Sequence, residues 1–101
     1  MIGLDRYKEI AAFTVAANST YIKYHHLGSI PKLVVIVFSI NPDMSGACII
    51  PFYTIPAGTV RGGLCRQMYK DRLTIVTGDT PGLDPNGSWV TAGYYKVHVW
   101  A

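Results

Sequence analysis

The stretch Lys32-Leu33-Val34-Val35-Ile36-Val37-Phe38-Ser39-Ile40 decides how this sequence folds. Six consecutive apolar residues, 33–38, are β-branched or aromatic except for Leu33, which favours an extended strand. The run is far short of the ~20 residues needed to cross a bilayer, so membrane insertion is not expected. A strand with no polar face must be covered on both sides. Residues 32–40 are therefore expected to form a fully buried central strand, with the core on one face and a second layer or another subunit on the other.

Working outward, further strand signals recur. Residues 93–100 alternate cleanly, with Tyr95, Val97 and Val99 on one face and Lys96, His98 and Trp100 on the other. Leu64 to Tyr69 and Arg72 to Thr77 read as a hairpin turning at Lys70-Asp71. Phe13 and Val15 alternate with Thr14, and Asn18-Ser19 offers a turn before residues 20–27, which predicts a second hairpin. A strand is also expected over residues 47–55, where Pro51 lacks an N–H and belongs at an edge or bulge. The one helical candidate, residues 4–12 with Leu4, Tyr7 and Ala11 on a face, runs on into Phe13-Thr14-Val15 and favours a strand, with a short N-terminal turn as the alternative. Turn clusters at 28–31, 41–46 and 78–88 separate these segments, and 78–88 is expected to be an irregular, exposed loop. The expected fold is all-β: one domain, residues 1–101, an antiparallel, jelly-roll-like β-sandwich of about seven strands.

Composition sets limits on partners. Of the 101 residues 50% are hydrophobic and 15% charged, against roughly 25% charged in an average soluble domain. Part of the apolar surface is thus expected to face another subunit. The formal charge of +3 comes from nine Lys and Arg scattered along the chain. The densest group, Arg66, Lys70 and Arg72, encloses Asp71 and forms no basic stripe, so nucleic acid is not an expected partner. Met1-Ile2-Gly3-Leu4-Asp5-Arg6 has no basic leader followed by an apolar segment, so no signal peptide is expected. Cys48 and Cys65 match no zinc spacing and are expected as free, buried thiols.

No spacing encodes catalysis or a cofactor. His25-His26 resembles a metal dyad, but neighbouring strand residues point to opposite faces and cannot chelate one ion. No Gly-x-Ser-x-Gly elbow is present, the cysteines lack electropositive flanks, and the glycines of 58–63, which bracket a segment expected to be mobile, lack the ending of a phosphate loop. Asp84-Pro85-Asn86-Gly87-Ser88 alternates oxygen ligands as a calcium loop does, yet the closing bidentate acid is missing, and Asn86-Gly87 reads as a turn needing positive φ. No metal or cofactor is expected.

Aromatic residues are the stronger signal. Tyr and Trp can stack on sugar rings or anchor a protein interface, or else complete a core. Trp89 ends the long loop, and with Asp84, Asn86 and Arg61 it forms the candidate ligand-binding set. Trp100, on the polar face of the last strand, is the candidate interface residue.

Phe13-Thr14-Val15, the apolar strand, Arg72-Leu73-Thr74-Ile75-Val76-Thr77, the loop ending in Trp89, and Tyr94-Tyr95-Lys96-Val97-His98-Val99-Trp100 together resemble the receptor-binding or head domains of bacteriophage fibres and baseplate proteins. The resemblance covers most of the chain as a pattern. It implies a virion component assembled in the host cytoplasm, a homo-oligomer with a trimer favoured, and loops turned to a host-surface glycan or protein. Such heads follow a long shaft, which this sequence lacks, so the chain is either a separate small virion protein or a fragment. No binding residue carries over, because no shared motif marks the receptor site. A monomeric carbohydrate-binding sandwich and a small enzyme are the competing readings.

Overall fold

A strand needs at least one paired edge and cover on at least one face, and the tertiary structure supplies these unevenly. The computed structural model describes residues 6–101. Among them eleven strands form: β1 (Tyr7–Ala16), β2 (Thr20–Tyr24), β3 (Leu33–Ser39), β4 (Cys48–Ile49), β5 (Tyr53–Thr54), β6 (Val60–Arg61), β7 (Gly63–Met68), β8 (Arg72–Thr77), β9 (Gly82–Leu83), β10 (Trp89–Val90) and β11 (Ala92–Trp100). One sheet runs β1-β11-β3-β4 and a second β2-β8-β7, with two small ribbons, β9–β10 and β5–β6. Strand pairing is antiparallel throughout. The fold is an all-β sandwich whose two larger sheets hold seven strands.

The core lies between those sheets. Ile10, Val15, Phe38, Tyr95, Val97 and Val99 face Leu73 and Ile75 across it. In β11 the expected alternation holds, with Tyr95, Val97 and Val99 wholly buried and the residues between them half-buried. A bulge in β1 between Ile10 and Phe13 places one extra residue opposite Val97 and Tyr95. Ile10, Phe13 and Val15 therefore all reach the core face, which an unbroken period of two would not allow.

Close packing fixes the rings. A methyl group on Gly82 or Gly93 would overlap the Phe38 ring, and one on Gly63 would overlap Tyr95. Tyr95 meets Phe38 edge to face, 5.9 Å between centroids, and its hydroxyl donates to the Pro81 carbonyl at 2.7 Å. Two large rings thus fill the core where the opposing backbone carries no side chain.

Several expectations need correction. β3 is paired on both sides only over Val37 and Phe38, where the two-residue β4 reaches it. Phe38 is buried in the core and Val34 and Ile36 pack against it half-buried, while on the other face Leu33 is exposed and Val35 and Val37 are half-buried. The strand is therefore not fully buried, because no layer covers its outer face in the described chain and an open groove reaches Val34 and Ile36 on the other. The most buried strand of the second sheet is β8, with Leu73, Thr74, Ile75 and Thr77 inside.

Residues 9–27 are not a hairpin. β1 pairs with β11 and β2 with β8, so the Asn18-Ser19 turn crosses from one sheet to the other. Thr77 holds this corner: its hydroxyl donates to the Ala16 carbonyl at 2.6 Å and accepts the Ser19 N–H at 2.9 Å. Asn18 takes a positive φ of 51°, a conformation Asn tolerates better than most residues.

The expected strand over 47–55 divides into β4 and β5 on either side of Pro51, since proline cannot donate to a ladder. The 78–88 loop is irregular and exposed only near its tip: Gly78, Pro81 and Gly82 are buried, and β9 and β10 form a ribbon within and beside it. Within the segment expected to be mobile, Val60 and Arg61 form β6. The β7–β8 hairpin forms as expected, closed by Tyr69 N–H to Arg72 carbonyl at 2.8 Å. Tyr7 to Ala12 are strand rather than a helical turn, while Leu4 and the leader residues 1–5 lie outside the described residues.

Candidate functional site

The small ribbons build the site. Gly62 has φ of 92°, and a Cβ there would collide with the Pro51 carbonyl. Only glycine can take this conformation at that distance, and the contact brings the chain after Pro51 against β6. Tyr53 then pairs with Arg61 across the β5–β6 ribbon. Arg61 in turn bridges Thr80 in parallel, and the Gly62 N–H donates to the Thr80 carbonyl at 2.8 Å.

Asp79 fastens β6 to this ladder. One of its carboxylate oxygens accepts the Val60 N–H at 2.8 Å and the other the Asn18 side-chain amide at 2.9 Å. The Val60 N–H, and then the Asn18 amide, hold its carboxyl below the usual value.

Trp89, on β10, completes the cluster. The Tyr53 and Trp89 rings meet edge to face at 6.0 Å, and the Arg61 guanidinium carbon lies 5.3 Å from the Trp89 ring centroid. Trp89 and Arg61 are half-buried and Tyr53 is exposed. An indole, a phenol and a guanidinium thus share one patch, a combination suited to stacking on a ligand ring and donating hydrogen bonds.

The structure unites two of the four candidates read from sequence, Trp89 and Arg61. Asp84 instead organises its own turn: one carboxylate oxygen accepts the Asn86 and Ser88 N–H groups, each at 2.9 Å. Asn86 stands at the exposed tip, followed by Gly87 at φ 84°. This is the geometry of a side-chain-capped turn. Tyr53 and Thr80 were not singled out from the sequence. Position 53 looks like any other tyrosine until the Gly62–Pro51 approach places it beside Arg61.

A second aromatic group lies on the outer face of the first sheet. Tyr7 and His98 share a 2.6 Å hydrogen bond, and the Trp100 ring is 5.1 Å from Tyr7 and 6.1 Å from His98. The register sets Trp100 beside Leu33, His98 beside Val35 and Lys96 beside Val37. Ile49, opposite Val37, is 72% exposed. Lys96 pairs with Glu9 at 3.2 Å. On this face the apolar row of Leu33, Val35 and Val37 lies beside Trp100, His98 and Lys96, and the Lys96 charge is paired with Glu9.

Between β3 and β7 the sandwich is open. A groove of about 450 Å³ there is lined by Leu33, Ile36, Ile49, Ile50, Leu64 and Met68 among others, with no acid or histidine. Cys65, also in the groove, is a free half-buried thiol whose pKa burial pushes up, and Cys48 is free and half-buried too. The cysteines are thus free, as expected, but less buried than expected. β2 stops at Tyr24, short of the expected 20–27, so His25 and His26 part just beyond the strand, where His26 takes a φ of 55°: His25 is buried, accepting the Leu27 N–H at Nδ1 and donating from Nε2 to the Tyr69 carbonyl, while His26 is exposed against Tyr24. No group of three or more metal-binding side chains gathers among the described residues. No helix among them is long and apolar enough to cross a membrane.

No protein-family model matches this chain, and no curated protein matches it in sequence.

Proposed function

We propose that this domain is a non-catalytic attachment module of a virion, which binds a host-surface glycan at the Trp89–Arg61–Tyr53 patch and assembles as a homo-oligomer, a trimer being favoured. The observation that carries the binding reading is the convergence of those three side chains from β5, β6 and β10 at one patch. Aromatic rings beside a hydrogen-bond donor recognise the apolar and hydroxylated sides of a sugar together. The phage assignment rests on the sequence resemblance to fibre and baseplate head domains.

Assembly is favoured by the outer face of the first sheet. Leu33, Val35, Val37, Ile49 and Trp100 lie together there in register. Their cover by a second copy would complete the burial that the apolar run 33–38 calls for.

The test is retention on immobilised glycans. Wild-type protein should be retained, and Trp89→Ala should weaken binding by ~30-fold or more, the loss of about 2 kcal/mol expected when an anchoring ring is truncated. Retention unchanged by Trp89→Ala, in a protein that still melts cooperatively, would remove this patch as the site. A monomeric mass at micromolar concentration would instead favour a free-standing carbohydrate-binding sandwich.

A further inference from the structure

We infer that the ligand of the Trp89 patch is an anionic glycan, one whose carboxylate or phosphate group is received by Arg61; this rests on the glycan-binding reading of that patch. Arg61 has no acidic partner among the described residues. Among the described residues the ion pairs are Arg72 with Asp71 and Lys96 with Glu9, and neither involves Arg61. The nearby acids are already engaged: Asp79 by the Val60 N–H and the Asn18 amide, Asp84 by the N–H groups of its own turn. Arg61 is held by the Trp89 ring and by its backbone ladder, with no counter-charge from the protein.

A second observation points the same way. The Nε of Arg61 and the hydroxyl of Thr80 are both buried without a hydrogen-bond partner, on residues paired by the same bridge. Buried polar atoms are nearly always satisfied, so two orphans on paired residues mark a polar demand that the described chain leaves unmet. Guanidinium is suited to that role, since its planar fork matches the two oxygens of a carboxylate or phosphate. Tyr53, exposed, and Trp89, half-buried, then offer their rings to the sugar that carries the anion. Asp79 and Asp84 keep their charge, but their oxygens are turned to their own N–H and amide donors.

The test is a titration of the full chain with three probes: a hexasaccharide containing uronic acid, one bearing phosphate, and their neutral parent. At least one anionic probe should bind ~10-fold or more tightly than the neutral one, as expected for charge-assisted hydrogen bonds, and the preference should weaken with added salt. The stronger of the two identifies the source of the anion. Arg61→Met should abolish the preference and Arg61→Lys should retain part of it, with melting curves confirming that both variants fold. Equal binding of neutral and anionic probes, unaffected by Arg61→Met, would overturn the anionic assignment and leave the glycan reading standing. Failure of all three to bind, with wild-type retention on other glycans, would also overturn it, and absence of any glycan binding would end both.

Discussion

At the scale of single residues, the core depends on rings that lie against bare backbone. Phe38 packs on Gly82 and Gly93 with no space for a methyl group. Gly82→Ala is therefore expected to destabilise the fold by about 1–3 kcal/mol through overpacking, read as a lower midpoint in urea. Tyr95 carries a second prediction. Its buried phenol is harder to ionise than a free one, through desolvation first and then the neighbouring Tyr21. Because the folded pKa is raised, this contribution to stability is intact below the unfolded value of about 10 and is lost as pH rises beyond it, where only the unfolded chain ionises. Tyr95→Phe should remove that part of the alkaline loss, measured as stability from pH 8 to 11, while losing the hydrogen bond to Pro81 at all pH values. The alternation of Tyr95, Val97 and Val99 was legible in the sequence. The glycines that accept Phe38 and Tyr95 were not, because they come from distant strands and no local pattern marks them.

At the scale of elements, local signals placed strands well and their partners less well. The β7–β8 hairpin joins two strand-like runs by a tight turn at Lys70-Asp71, a signal that resides in adjacent residues, although a bulge between Cys65 and Gln67 shifts its register. The connection from β1 to β2 has equally plausible turn residues, Asn18 and Ser19, yet it crosses between sheets. What decides this is Thr77, some sixty residues away, which bonds to both sides of the corner. Thr77→Val keeps the shape and removes the hydroxyl, leaving the Ala16 carbonyl and Ser19 N–H without it. The expected cost is about 1–3 kcal/mol, with faster amide exchange at Ser19 as the local readout. The same dependence on distant partners explains the site. Trp89 and Arg61 were identifiable as candidates, but Tyr53 joins them only because Gly62 approaches Pro51.

For the whole molecule, the apolar run 33–38 has two neighbours of different quality. Its core face is packed by Tyr95, Val97 and Val99, whereas its outer face meets only the half-buried row of Trp100, His98 and Lys96. The sequence pattern required cover on both faces, and a single copy of the described chain provides it fully only at Phe38, in part at Val34 and Ile36, and least on the outer face. Charge placed in this face should therefore disfavour assembly more than folding. Ile49 is 72% exposed, so Ile49→Lys is expected to leave the melting temperature of the isolated subunit nearly unchanged and to shift the mass measured by light scattering from oligomer to monomer. A wild-type monomer at micromolar concentration would contradict the assembly proposal without touching the binding site.

The binding claim is reached most directly through the two tryptophans. The chain contains only Trp89 and Trp100, so their indole N–H signals in a nitrogen–proton correlation spectrum can be assigned with one variant each. Addition of a retained glycan should shift the Trp89 signal progressively to saturation and leave that of Trp100 in place. A shift at Trp100 with Trp89 unmoved, or binding that moves neither, would contradict the account.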